Sequence, residues 1–473
     1  MNIAVFFVPL VPIIWVLPAF VLLFYLTLAS DLLQKGFSRP PLEWVDAFVL
    51  IFLILCSISF FNLDLTFRSL QNYLRYYFGT YLFPVLGYFA LRLMRFSNKR
   101  AGSLRKAVIA AGLIFSVLCL FEFAFRHPIK PEVDLPEQWT RGGFFRAGSL
   151  AGGSVHAGET MAAFIALTIP GLFFRWPGKR SSWLILVLML ELLGLGVVLA
   201  RAGYIATLTC IFLAFLFLRG LRQQRWIPII TGLLLMLITG DAFLKVLPAW
   251  LFDRLFAENY STLARIPRFW AGIAFIGENL RTGWQTALLG RGYLASYLWG
   301  GIYLKQGYVW GVTGTFLSGG FHNGYLTMIA DQGFLAFGCY ITVVIAALRR
   351  LWQYCRQFRQ LGRPILKSGD ALEPVGWGLI LVAHLVVETV HWSFGFPQMF
   401  YFFMALAMTL NLTSPDRLGR VGERVKTPAV GPPGFRNGWV PGGFKGRGPA
   451  PITCAPAHCG PGAKTSPSPE GTE

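Results

Sequence analysis

The sequence predicts an all-α chain folded as a polytopic bundle of about 11–12 membrane helices, and three observations carry that expectation. The 473 residues are 55% hydrophobic and 14% charged, with a mean hydropathy of +0.55, which is more apolar surface than one soluble core can bury. The apolar residues gather into about eleven stretches close to the roughly 20 residues that a helix needs to cross a hydrocarbon layer about 30 Å thick. The basic residues, which bring the net charge to +20, sit in short connections between those stretches. That is the distribution of a cytoplasmic face.

Taken in order, the first stretch covers residues 3 to 28. It is long and lacks a small-residue cleavage site, so it reads as a retained helix. Stretches at 44 to 61 and 76 to 94 follow, and the latter runs into Arg95, Lys99, Arg100, Arg105 and Lys106. The next, 107 to 125, opens onto an outer connection at 126 to 156. The stretch 157 to 174 ends in Arg175, Lys179 and Arg180, 183 to 199 turns at Arg201 into 202 to 218, and Arg219, Arg222 and Arg225 precede 226 to 248. A long outer loop, about 249–324, leads into 325 to 348, which ends in the basic run from Arg349 to Lys367. The last two stretches, 374 to 394 and 397 to 412, meet at a turn near Pro397. Four basic connections agree on one zigzag, with 126 to 156, Arg201, the long loop and Pro397 on the opposite, outer side. An odd span count then leaves the N-terminus outside.

Two regions result. Residues 1–413 form the transmembrane domain, and 414–473 turn abruptly to Gly, Pro, Arg and Lys without periodicity. Such a tail lacks the apolar residues to pack and is expected to be disordered and cytoplasmic, able to touch anionic headgroups. Because the positive charge is spread over short loops, it points to membrane lipids and not to nucleic acid. No GxxxxGK[ST] sequence is present, so no nucleotide-binding loop is visible. The seven cysteines show no disulfide framework. Cys454, His458 and Cys459 resemble a fragment of a metal site but lack a fourth ligand, and no metal or cofactor is expected.

Polar residues recur at the outer ends of the apolar stretches. Arg201 interrupts "LLGLGVVLARAGYIATLTCIF" with no acidic residue close by on its outer side. A guanidinium so near hydrocarbon needs an anion or a route to water. Arg265 and Arg268 lie at the start of "ARIPRFWAGIAFIGENL", where Phe269, Trp270, Ile273, Ile276 and Leu280 recur at helical spacing. That pattern suits a helix on the bilayer surface or one capping the bundle. The planar fork of arginine matches phosphate oxygens. Arg146 lies in a glycine-rich stretch, "RGGFFRAGSLAGGSVHAGE". His322 and Asn323 follow "FLSGG" and stand directly before a helix. A neutral imidazole there can take a proton from a hydroxyl, or simply cap the helix. Gly290 and Gly292 in "LLGRGY" suggest a tight turn or a close backbone approach. His384, Glu388 and His391 fall on one helical face and read as a hydrogen-bonded polar cluster, with a metal or proton site as the alternative.

In order along the chain, "FRAGSLAGG", "LARAGYIATLT", "ARIPRFW", "LLGRGY" and "FHNGYLTMIADQG" resemble the O-antigen ligase and polymerase superfamily of bacterial membrane glycosyltransferases. The resemblance covers about residues 45 to 412, and its most specific element is His322, Asn323, Tyr325, Leu326 and Gly333 at the end of the long loop. Leu199 and Ala200 stand where that family commonly has Thr or Ser before its turn arginine, and Ile266 leaves Arg265 and Arg268 competing for one role. His156 is an extra candidate for the site. The resemblance implies a GT-C-like fold in the bacterial cytoplasmic (inner) membrane, with a metal-independent, inverting transfer at its periplasmic face. The donor would be a polyprenyl (undecaprenyl) diphosphate-linked glycan, and the acceptor a glycan or lipid A core. His322 would serve as base, with Arg201, Arg265 and Arg268 binding the diphosphate and Asn323, Gly290, Gly292 and Arg146 supporting them. A repeat-unit polymerase with the same chemistry is one alternative. A small-anion transporter, for example of bicarbonate, is another, although no inverted repeat or matching pair of broken helices is visible.

Overall fold

The computed structural model describes residues 43–61, 70–94, 98–127, 147–148, 154–173, 182–198, 200–218, 265–293, 295–296, 321–360, 369–391 and 396–414, together with Ser30, Ile129 and Ala151. The chain divides into two units, residues 1–423 and 424–473, and every described residue lies in the first. Outside the description fall the apolar stretches at 3 to 28 and 226 to 248, Arg146, most of the long loop, the tail, and Cys454, His458 and Cys459.

The described residues are all-helical, with no strand among them. In order the helices are α1 (Trp44–Phe61), α2 (Leu70–Tyr77), a π-helical turn (Phe78–Leu82), α3 (Phe83–Leu93), α4 (Asn98–Phe125), α5 (Ser154–Phe173), α6 (Ser182–Val198), α7 (Arg201–Leu218), α8 (Arg265–Thr282), α9 (Trp284–Leu289), α10 (Gly324–Gln360), α11 (Gly369–Val390) and α12 (Phe396–Leu412). Nine of the eleven apolar stretches read from the sequence are therefore helical here, and two are not described.

Small residues set the closest approaches. α5, α7 and α11 pack on one another, and a Cβ on Gly203 of α7 would lie 2.6 Å from the Gly158 carbonyl oxygen of α5. Only paired glycines let two helix backbones come that near. α1 lies along α10, and α12 packs between α3 and α11. From Met399 to Leu410 every residue of α12 is buried, so this helix, apolar on all sides, is central.

Contacts sort the helix ends into two groups. At one end, Arg92 of α3 pairs with Asp46 of α1 at 2.8 Å, Arg350 of α10 pairs with Glu43, Asn411 of α12 bonds the Leu91 carbonyl, and Arg105 of α4 meets Glu373 of α11 at 2.6 Å. At the other end, Ser59 Oγ of α1 donates to the Asp331 carbonyl near the start of α10. The first turns of α5 and α7 meet there through Gly158 and Gly203.

α4 and α10 hold segments, Ala101–Phe125 and Gly324–Gln357, that are long and apolar enough to cross a membrane. Five more apolar helices are shorter: Trp44–Phe60, Phe78–Leu93, Trp183–Val198, Arg201–Phe217 and Gln398–Leu412. At 1.5 Å per residue, helices of that length fall somewhat short of a 30 Å hydrocarbon layer. Large apolar side chains nonetheless face outward along α1 (Leu50, Ile51, Ile54), α4 (Val117, Phe121), α6 (Leu186, Met189, Leu193) and α7 (Ile205, Phe212).

In α8 the apolar side chains Phe269, Trp270, Ile273 and Leu280 are exposed, while Ala271, Phe275, Arg268 and Asn279 are buried, an arrangement open to a helix on the bilayer surface. Phe275 and Ala271 join Phe321, Ala330 and Ala295 in a small core of their own. A Cβ on Gly272 would meet Phe321 at 2.9 Å. The small residues of α8 thus seat it on the bundle and leave its large ones outside.

Candidate active site

The site is built at the start of α10. Asn323 caps this helix: its Oδ1 accepts the Leu326 N–H at 2.9 Å, which satisfies one of the free donors of a helix start. Its Nδ2 donates to the Thr389 carbonyl at 2.9 Å, so the cap also ties α10 to the end of α11. Gly324 presses against the Glu388 carboxylate, where a Cβ would overlap Oε2. His322 takes a left-handed backbone conformation, with φ of 51°. This conformation is uncommon outside glycine and tolerated better by His, Asn and Asp than by most residues. It turns the incoming chain and aims the imidazole across the helix start.

Two other elements meet that imidazole. Arg268, which is 8% exposed in the first turn of α8, places Nη1 against His322 Nε2. A guanidinium can only donate, so in this contact Nε2 accepts and the ring proton resides on Nδ1. From the end of α11 the His391 ring lies 5.7 Å from that of His322. His156, in the first turn of α5, stacks on His391 at 5.3 Å. Three imidazoles from three elements therefore meet at His391.

The glycine turn read at "LLGRGY" holds this arrangement from below. Gly290 and Gly292 have φ of 77° and 112°, and α10 is broken at Gly333, with φ 84° and ψ 174°. A Cβ on Gly290 would overlap the Asp331 carbonyl, and one on Gly333 the Leu288 carbonyl. Across that contact Arg291 N–H donates to Ala330 O at 3.0 Å and Gly292 N–H to Asp331 O at 3.1 Å. The Asp331 carboxylate accepts the Ser296 N–H at 2.7 Å. Both glycines of the turn and the glycine ten residues after Asn323 thus serve one interlock.

Arg201 opens α7 and is half-buried, on a helix that touches α5 within a turn of His156. Arg265 lies in the first turn of α8, and its side chain is not described. Arg268 reaches His322. Sequence reasoning gave His156 little weight and passed over Glu159, one turn further along α5. The signal was the i, i+3 pairing of a histidine with a glutamate inside an apolar helix. The polar face on α11 is present: His384 Nδ1 lies 3.1 Å from Glu159 Oε1 and Nε2 lies 3.5 Å from Glu388 Oε1. No disulfide occurs among the described residues, where Cys56, Cys119, Cys210, Cys339 and Cys355 are buried.

α5, α7, α8 and α10 all begin near this constellation, so four helix N-termini bring partial positive charge to the same end as the arginines. The arrangement suits an anionic group beside a base. No family model matches the chain, and no curated protein sequence does.

Proposed function

We propose that this protein is a polytopic glycosyltransferase of the bacterial cytoplasmic membrane. It moves a glycan from a polyprenyl diphosphate to an acceptor hydroxyl at the periplasmic face, in O-antigen ligation or a related surface polysaccharide pathway. The observation that carries the reading is the contact of Arg268 with His322 at the capped start of α10, where a phosphate-binding side chain and a base meet. The outward-facing apolar side chains of α1, α4, α6 and α7 support the membrane setting, since soluble chains rarely expose apolar surface on several helices at once.

In this reading the acceptor oxygen attacks the anomeric carbon while the bond to the diphosphate breaks. The acceptor proton goes to His322, and the leaving diphosphate carries away the charge. Arginines hold that charge in a partly dehydrated site, where fixed donors stabilise it more than water would. One displacement needs one base and no enzyme nucleophile, so the configuration inverts. Arg268 lies against His322 Nε2, so the guanidinium that holds the diphosphate and the nitrogen that takes the proton are neighbours.

Purified protein, reconstituted with a polyprenyl diphosphate-linked glycan and candidate acceptors offered one at a time, tests the reading. Transfer that is lost in His322→Ala and reduced in Arg268→Lys is expected, because a point charge cannot reproduce the planar fork. Unimpaired transfer in His322→Ala would overturn the assignment of the base. Elongation of a lipid-linked glycan in place of transfer to a lipid A core would identify a polymerase.

A further inference from the structure

α6 is seated on α4 and α5 through a narrow stripe. Val187, Glu191, Gly194, Leu195 and Val198 are buried, while Leu186, Met189 and Leu193 on the other side of the helix are exposed. Four of these five seat residues are apolar or glycine. The fifth is a glutamate at mid-helix with no exposed surface, and the transfer chemistry does not use it.

The Glu191 carboxyl lies where the three helices meet. A Cβ on Gly112 of α4 would lie 2.9 Å from its Oε1 and 2.8 Å from Phe164 of α5. Thr168 of α5 places Oγ1 3.2 Å from Oε1 and 3.1 Å from the Phe164 carbonyl oxygen. Among the described residues that hydroxyl is the carboxyl's one polar contact, and Oε2 is buried with no hydrogen-bond partner.

We propose that Glu191 is a proton-binding site inside the bundle: its carboxyl carries a proton at neutral pH and donates it to Thr168, and the resulting clasp seats α6 against α4 and α5.

Two arguments converge. A hydroxyl has one hydrogen and also accepts. Inside a helix, threonine gives that hydrogen to the carbonyl four residues back, here Phe164. A protonated Glu191 then completes a chain in which every hydrogen has an acceptor, carboxyl O–H to Thr168 Oγ1 and Thr168 O–H to the Phe164 oxygen. An ionised Glu191 would instead be a full charge held by one neutral hydroxyl in apolar surroundings. Burying it so costs far more than keeping a proton at neutral pH on a group whose ordinary pKa is about 4.3.

Among the described residues no cation pairs with the carboxyl. From α4, Ser116 donates to the Gly112 carbonyl at 2.7 Å, and Cys119 is buried one turn beyond it. Arg105, two turns the other way, pairs with Glu373, and Glu122 accepts the Ile129 and Gly148 N–H groups at the outer end of the helix. From α5, Met161 and Phe164 are apolar, and Glu159 lies beside His384. α6 carries no other charged residue; the next in sequence are Arg180 and Arg201, each about three turns away.

Full-length protein in detergent tests the site without turnover, so the outcome is independent of the glycosyltransferase reading, on which the proposal does not rest. Infrared spectra at neutral pH should show a protonated-carboxyl band that is absent from Glu191→Gln and moves to higher frequency in Thr168→Val, where the hydroxyl is lost. No such band in the unmodified chain, a band retained in Glu191→Gln, or one unmoved in Thr168→Val would overturn the proposal. Stability gives a second measurement. The unfolded chain releases this proton and the folded chain keeps it, so the clasp contributes fully at acid pH and progressively less as pH rises. The unfolding constant of the unmodified chain, relative to that of Glu191→Gln, should rise about tenfold per pH unit from about pH 6 to 8. A ratio that stays constant over that range would equally overturn it.

Discussion

Replacing Gly333 with alanine tests whether the start of α10 is held by the interlock described here. At φ 84° and ψ 174° the residue occupies a region open in practice to glycine alone, and an L-residue there costs about 1–3 kcal/mol. The new Cβ would also overlap the Leu288 carbonyl, so the strands of the interlock must part. The bonds from Arg291 N–H to Ala330 O and from Gly292 N–H to Asp331 O would weaken, each worth about 1 kcal/mol. The sum is a loss of roughly 3–5 kcal/mol, a large share of the stability of an ordinary domain. Denaturant titration of the detergent-purified protein reads it directly. Gly338→Ala is the control: it lies in the same helix, and a Cβ there meets nothing within 4 Å, so it should be neutral or stabilising by up to ~1 kcal/mol. A midpoint for Gly333→Ala equal to that of Gly338→Ala would refute the interlock.

Asn323→Ala should destabilise by about 1 kcal/mol through loss of the helix cap, and Asn323→Ser should recover part of that in the same titration. Arg105→Ala, which leaves Glu373 buried without its 2.6 Å partner, should cost about 3–5 kcal/mol, whereas Arg105→Met with Glu373→Leu should unfold near the unmodified midpoint. Arg268→Lys should raise the donor concentration needed for half-maximal transfer in the reconstituted assay, and unchanged donor dependence would remove Arg268 from the diphosphate site. Truncation after Ser414 should leave transfer unchanged, because every described site residue lies before it. A truncated protein that inserts normally but transfers nothing would contradict this.

The helices were legible because apolar runs of membrane length need little context, and nine of them stand where the sequence placed them. The polar start of α10 was legible as well, since His322 and Asn323 stand between a glycine-rich run and an apolar helix, and Asn323 caps that helix. The choice between Arg265 and Arg268 was not, because both lie in one helical turn, where spacing alone does not say which guanidinium approaches His322. The residues that seat α8 were not legible for a physical reason. On a surface helix of a soluble protein the large apolar residues mark the buried face, but α8 approaches the bundle through Gly272, Ala271 and Phe275 and faces Trp270 outward. Glu159 escaped notice because its one local signal, the spacing from His156, does not say what the carboxylate meets. Its partner His384 lies on α11, and only packing brings the two together.

The π-helical turn at Phe78–Leu82 holds one residue more than an α-helix of the same rise would. Taking that residue out would restore the regular winding and swing everything before it by about 100° around the axis. Upstream, Tyr73 packs its ring 6.4 Å from that of Tyr293, and Tyr77 shares a hydrogen with Ser57. Downstream, Tyr81 receives the Gln332 amide at 2.9 Å. The extra residue is what keeps Tyr73 and Tyr81 in phase with a loop and a kinked helix that come from much later in the chain, and Tyr77 in phase with α1. A change in length of one residue here would disturb the support of the candidate site without touching any of its side chains, and a survey of single substitutions would never encounter it.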